Sequence, residues 1–281
     1  MFKSWLMLIF MGAGVVSDSA FAGTVVLIPG AASSGGRISL IGLERVFGSW
    51  EHWNYFDRFQ REFVRLGHRV EVCPRIPDGD QGGLEERARD CENFLVALPA
   101  HEPVWLIGHS LGGLVGRRLL ANPSVASKVR ALVTISTPHR GTPLADLLRS
   151  ASPETSVIRT AARLAGFRPD QPRYVRELGW RVGTKDSNLL GIPVYSIANH
   201  AEGFVNMPAF EWTGEWLSRE LLRLNPRETR HDGIVPLASM VYGTLLGVVE
   251  ADHMESACIL QGQWSAGCEQ VLRLLKPLLR N

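Results

Sequence analysis

The chain has 281 residues, 45% of them apolar and 21% charged, with a formal net charge of +2 at pH 7. That length suits one large domain or two small ones. So small a net charge gives no strong field for nucleic acid or acidic membranes, and no like-charge block, short repeat or low-complexity tract points to a fibrous or disordered protein.

The N-terminus reads as a secretory leader. Lys3 supplies a positive start, Trp5 to Val16 an apolar run, and Ala20-Phe21-Ala22 a small-residue cleavage signal. The expectation is a signal peptide over 1–22 and a mature domain over 23–281, secreted or periplasmic. The apolar run is too short for a spanning helix, which leaves an uncleaved anchor as the alternative. The four cysteines are Cys73, Cys91, Cys258 and Cys268. An even number in an exported chain suits disulfides, and of three possible pairings Cys73–Cys91 and Cys258–Cys268 close the shorter loops. Their spacing matches no zinc-ligand pattern, and no metal is expected.

Strand candidates follow in order: Thr24–Ile28, Arg69–Cys73, Pro103–Ile107, Ala131–Ile135, Pro193–Ala198 and Gly247–Ala251. The most continuous apolar runs suit parallel strands buried on both faces. Between them lie helical patterns at Tyr55–Leu66, Leu84–Leu98, Leu111–Ala121 and Glu215–Leu224, with Cys268–Leu279 last. The alternation predicts an open, mainly parallel sheet of about six strands with helices on both faces, and ligands at the strand carboxyl ends. From Ser150 to Leu190 no strand candidate appears. That insertion (150–190) is read as a lid, with a helix over Ser156–Gly166, or else as structural padding.

The most informative stretch is Gly108-His109-Ser110-Leu111-Gly112, set between an apolar strand and a helical pattern. Strand, G-x-S-x-G, helix is a nucleophile elbow: a strained turn that exposes a serine hydroxyl beside a helix start. Ser110 is the candidate nucleophile and the Leu111 N–H a candidate oxyanion donor. A serine needs a base and the base needs an orienting carboxylate. His253, just past the last strand, is the candidate base, ahead of His139, His200 and His231. Asp232, in the Asp-Gly turn of Arg230–Pro236, is the candidate acid, ahead of Asp170, Asp186 and Asp252. The loop after the first strand offers the Ala31 N–H as the second oxyanion donor. It lacks the G-K-[ST] ending of a phosphate loop.

These residues resemble the secreted bacterial lipases of the α/β-hydrolase superfamily. The matching pieces are V-V-L-I-P-G, G-H-S-L-G-G, S-T-P-H-R-G-T-P-L-A-D (Ser136 to Asp146), D-G-I-V-P and D-H-M. The resemblance implies an α/β-hydrolase fold and ester hydrolysis through Ser110, Asp232 and His253, without a cofactor. Lipid or another acyl ester would be the partner, with transient contact at a lipid interface and a mobile lid over the acyl cleft. An acyltransferase or thioesterase with the same three residues, or a non-catalytic binding protein on this fold, are the rival readings. Two departures stand out. Pro29-Gly30 replaces the usual His-Gly, so the support of the oxyanion loop must differ. Met254-Glu255-Ser256 follows the histidine where many members place a calcium-binding aspartate, so calcium is not expected.

Overall fold

Alternate residues of the first strand go to opposite faces of a sheet, and both sets here are apolar. Val25 and Leu27 enter one core, while Val26 and Ile28 enter another; all four are fully buried. A strand buried on both faces must be central. It is: β1 (Thr24–Ile28) lies between β4 (Arg69–Val72) and β5 (Val104–His109), parallel to both.

The computed structural model describes residues 22–31, 33–34, 37–38, 55–73, 83–99, 102–150, 155–156, 176–180, 190–202, 208–259 and 264–280. The leader expected over 1–22 lies outside them except for Ala22. The expected lid over 150–190 lies outside them except for Ser150, 155–156, 176–180 and Leu190.

The six expected strands all form. β6 (Val129–Ile135), β7 (Val194–His200) and β8 (Thr244–Glu250) complete an all-parallel sheet of order β4-β1-β5-β6-β7-β8. β2 (Ser33–Ser34) and β3 (Arg37–Ile38) form a separate small antiparallel pair. Helix α1 (Asp57–Arg65) buries Phe59 and Phe63 on one face, beside Val271, Leu272 and Leu275 of α8 (Ala266–Leu279). On the other face, α2 (Leu84–Ala97) contributes Ala88, Cys91 and Leu95, and α3 (Leu111–Leu119) contributes Val115 and Leu119.

Differences from the sequence reading are local. Short helices at α4 (Pro123–Ala126), α5 (Pro143–Arg149) and α7 (Leu237–Met240) carry too few turns to show a period. α4 and α5 begin with proline just after a capping Asn122 or Thr142, whose side chain accepts the amide of Ser124 or Leu144. α6 runs Pro208–Leu224 rather than beginning at Glu215, its backbone being helical from the proline onward.

Disulfides join Cys73 to Cys91 and Cys258 to Cys268, the two short-loop pairs, with Cα–Cα distances of 5.4 and 5.0 Å. The first ties the carboxyl end of β4 to α2. The second ties the turn after the β8 loop to α8. No helix among the described residues is long and apolar enough to cross a membrane.

The tightest constraint is where α3 crosses the end of β1. A Cβ on Gly112 would stand 2.0 Å from the Ile28 carbonyl oxygen, a backbone atom that cannot swing aside. Gly112→Ala is therefore expected to cost about 3 kcal/mol in urea unfolding, through overpacking. Gly67→Ala is the contrasting case. Gly67 has φ +85° but open space around its Cβ position, so only left-handed strain of about 1 kcal/mol applies.

Candidate active site

β5 ends at His109, and the chain turns at once into α3. Ser110 occupies the corner with φ 53° and ψ −127°, a region usually left to glycine. Such a residue costs on the order of 1–3 kcal/mol and persists only when its surroundings enforce it. Here the Ser110 N–H donates to the Ile135 carbonyl at 2.9 Å, and the Gly113 N–H donates back to the Ser110 carbonyl at 3.1 Å. The serine is half-buried while its neighbours on both sides are buried. Leu111 opens the helix, where an amide has no carbonyl one turn earlier to bond.

The loop after β1 passes directly over this corner. A Cβ on Gly30 would meet Ser110 Cβ at 2.8 Å and Oγ at 3.3 Å, so only glycine permits the approach. Tyr55 and Arg87 hold the loop at Gly30. The Gly30 N–H donates to the Tyr55 hydroxyl at 3.0 Å, and Arg87 Nη1 donates to the Gly30 carbonyl at 3.4 Å. With the Gly30 amide so engaged, Ala31 is the next amide of the loop, and its methyl packs beside Ala145.

Asp232 and His253 meet beyond the ends of β7 and β8. His253 Nδ1 lies 2.6 Å from Asp232 Oδ2, and the His253 N–H donates to the Asp232 carbonyl at 3.0 Å. Both residues are buried, Asp232 completely. The Asp232 carboxylate is fully solvated by protein. Oδ1 accepts the Ile234 and Val235 amides at 3.0 and 2.7 Å, and Oδ2 also accepts from Asn199 Nδ2 at 3.2 Å. A buried charge needs such a set of donors.

The rival residues are placed elsewhere. Asp252 Oδ1 accepts the Met254 and Glu255 amides, both at 2.8 Å, and so caps the following turn. His231 Nδ1 accepts the Gly233 amide while Nε2 meets Ser218 Oγ at 2.7 Å. His200 ends β7, and its carbonyl accepts the Ala251 amide at 2.8 Å. His139 is buried against Thr134 and Arg117. Asp170 and Asp186 lie outside the described residues.

The Ser136–Asp146 motif works as a brace for the acid loop. Thr142 Oγ1 donates to the Ile234 carbonyl at 2.6 Å. The His139 amide donates to the Ser239 carbonyl, and Ser239 Oγ donates to the Gly141 carbonyl. Asp146 Oδ2 accepts the Trp180 amide at 2.9 Å, which ties a point inside the 150–190 stretch to α5.

Five residues at the site escape sequence reasoning: Tyr55, His109, Ser136, Asn199 and Ser256. Apart from Ser256 with the His253 carbonyl three residues back, their contacts with one another and with the triad candidates span 33 to 147 residues of chain. Position was the available signal. His109, Ser136 and Asn199 stand at or just past the carboxyl ends of β5, β6 and β7, where such sheets bind ligands.

The chain belongs to the α/β-hydrolase family, whose model matches residues 25–272. No curated protein matches the chain in sequence. Among solved structures, the metagenomic carboxyl esterase MGS0156 superposes with a TM-score of 0.66 at 20% identity, over 93% of this chain and 76% of that one. The mature lipase BlEst2 of Bacillus licheniformis gives 0.62 at 18%, over 92% and 91%. EstA of Clostridium botulinum gives 0.59 at 16%, over 92% and 87%. At these identities the likeness establishes the fold.

Two buried histidines near the strand ends give the protein an acid limit. Burial, with His253 adjacent, holds His109 well below its ordinary pKa of 6.5; burial, with Arg117 and Arg140 nearby, does the same for His139. Below pH 6.5 the unfolded chain binds protons at these positions that the folded chain refuses, so stability rises with pH there and falls on acidification. Above pH 6.5 both states are neutral at these rings and the effect vanishes. Urea midpoints measured from pH 7.5 to 5 should fall with acidification, and His139→Gln should flatten that slope.

Proposed function

We propose that the protein is a serine ester hydrolase, a lipase or carboxylesterase acting on fatty-acyl esters. One observation carries the reading: His253 Nδ1 sits 2.6 Å from the buried Asp232 carboxylate, and the His253 carbonyl lies 2.9 Å from the ring of His109, the residue just before a serine held at φ 53° on the elbow. The family membership and the structural neighbours named as esterases and lipases support it.

In this reading Ser110 Oγ attacks the ester carbonyl carbon as His253 Nε2 takes its proton. Asp232 holds the ring in the Nδ1–H tautomer and stabilises the imidazolium. The Ala31 and Leu111 amides receive the oxyanion, a kind of stabilisation worth about 10² to 10³ in turnover per donor. Collapse breaks the bond to the alcohol oxygen, which takes the proton from His253. Water then attacks the acyl carbon as His253 takes its proton; collapse breaks the bond from that carbon to Ser110 Oγ, which takes the proton back from His253, and the acid leaves. The lid reading of 150–190 and export after Ala22 belong to the same proposal. The two disulfides are compatible with an oxidising compartment.

The test is turnover of p-nitrophenyl esters from two to sixteen carbons by purified protein. Ser110→Ala should lose about 10⁴ or more of the rate, and Asp232→Asn about 10² or more, with folding verified by circular dichroism. Asp252→Asn should keep turnover within a few fold, since Asp252 serves a turn. A folded Asp232→Asn enzyme with near-normal turnover would remove the acid assignment. Absence of turnover on every ester would remove the function.

A further inference from the structure

Beneath the reacting groups runs a line of buried polar contacts whose donor directions follow from the chemistry of the partners at most links. Asn199 Nδ2 faces only acceptors: Asp232 Oδ2 at 3.2 Å, the Ala251 carbonyl at 3.1 Å and the Asp252 carbonyl at 3.3 Å. Its orientation is thereby settled, and its Oδ1 must accept from Ser136 Oγ. Ser136 has then used its one proton, so at the 2.6 Å contact between hydroxyls its oxygen accepts, and the single Ser256 proton is shared between Ser136 Oγ and the His253 carbonyl at 3.0 Å. On the other side His109 Nε2 lies 2.9 Å from the His253 carbonyl and 3.4 Å from Ser256 Oγ. A carbonyl can only accept, so Nε2 carries a proton. Tyr55 Oη accepts the Gly30 amide and lies 2.5 Å from His109 Nδ1; with the ring neutral and its proton on Nε2, the tyrosine hydroxyl is the donor there.

Tyr55, His109, Ser136, Asn199 and Ser256 are all buried. Burial also favours the neutral ring at His109. Ser136 takes a positive φ of 51°, a strained backbone that aims its hydroxyl between Ser256 and Asn199.

We propose that His109 is locked as the neutral Nε2–H tautomer, and that through it one directional hydrogen-bond chain joins the oxyanion loop at Gly30 to the triad acid Asp232. Tyr55 and Asn199 are then positioning residues, one for each end. The chain fixes the oxyanion loop, the elbow and the histidine loop relative to one another. A change at one end is expected to reach the other, because each hydroxyl has a single proton and reversing one link reverses its neighbours. The inference about rate rests on the ester-hydrolase reading; the inference about protons does not.

Two measurements test it on the full folded chain. The first is nitrogen NMR of protein labelled at histidine. His109 should show the neutral Nε2–H pattern from pH 5 to 8. Tyr55→Phe should move its Nδ1 signal towards that of an unbonded ring nitrogen and should shift the low-field Nδ1 proton of His253. An Nδ1–H tautomer or a charged ring at His109, or a His253 proton indifferent to Tyr55→Phe, would overturn the chain. This arm needs no turnover, so it decides the proposal even if the protein hydrolyses no ester.

The second is a kinetic cycle on one soluble ester. Tyr55→Phe and Asn199→Ala should each lower kcat by about 10-fold with KM within about 2-fold, and the double variant should fall well short of the roughly 100-fold product. Independent, multiplicative losses would overturn the coupling. Ser136→Ala replaces Asn199→Ala if the latter fails to fold.

Discussion

A serine cannot hold φ 53° and ψ −127° by its own preference. The conformation exists because β1, β5 and α3 pack too closely at the corner to leave an alternative. Gly112 touches the Ile28 carbonyl region, Gly30 passes over Ser110, and the Ser110 amide is tied to β6. The corner thus converts close packing into a serine that stays half-buried between two buried neighbours. The central position of β1 in the sheet and the apolar character of both its faces follow from the same geometry, since α3 can cross there only if the sheet beneath it is rigid.

The second consequence is electrostatic. Three separate loops carry the candidate groups: the loop after β1, the Asp232 turn and the segment after β8. Loops of this kind ordinarily have freedom that a reacting centre cannot tolerate. Here buried hydrogen bonds remove it. Asp232 has its lone pairs taken by Ile234, Val235, Asn199 and His253. The loop after β1 is held at Gly30 by Tyr55 and Arg87. Buried polar groups that are fully paired fix position; the same groups half-paired would be costly, which makes each contact a condition of the others.

Much of this was legible in the chain itself. Continuous apolar runs gave the six strands, because a parallel strand buried on both faces has no polar side to disguise it. The spacing around Ser110 gave the elbow, while chain order, an Asp-Gly turn and the family resemblance pointed to Asp232 and His253, whose side chains lie 2.6 Å apart. The short-loop disulfide pairs also stand. Helices of four to seven residues were not legible, since one or two turns show no period. Nor were Tyr55, His109 and Asn199 as members of the site. Their contacts are between residues 25 to 147 positions apart along the chain, and a buried tyrosine or histidine reads in sequence as ordinary core. The Ser136–Asp146 motif was recognised, but its service as a brace under the acid loop emerges only from the contacts of Thr142, His139 and Gly141.

The central claim is that the strained corner presents Ser110 as the nucleophile between the Ala31 and Leu111 amides. The most direct measurement is a crystal structure of the protein after reaction with an alkyl fluorophosphonate, with the adduct also mapped by mass spectrometry. The expected result is a single phosphonyl group on Ser110 Oγ, its phosphoryl oxygen within about 3 Å of both amides. Labelling at another residue, or a Ser110 adduct whose phosphoryl oxygen points away from both amides, would contradict it.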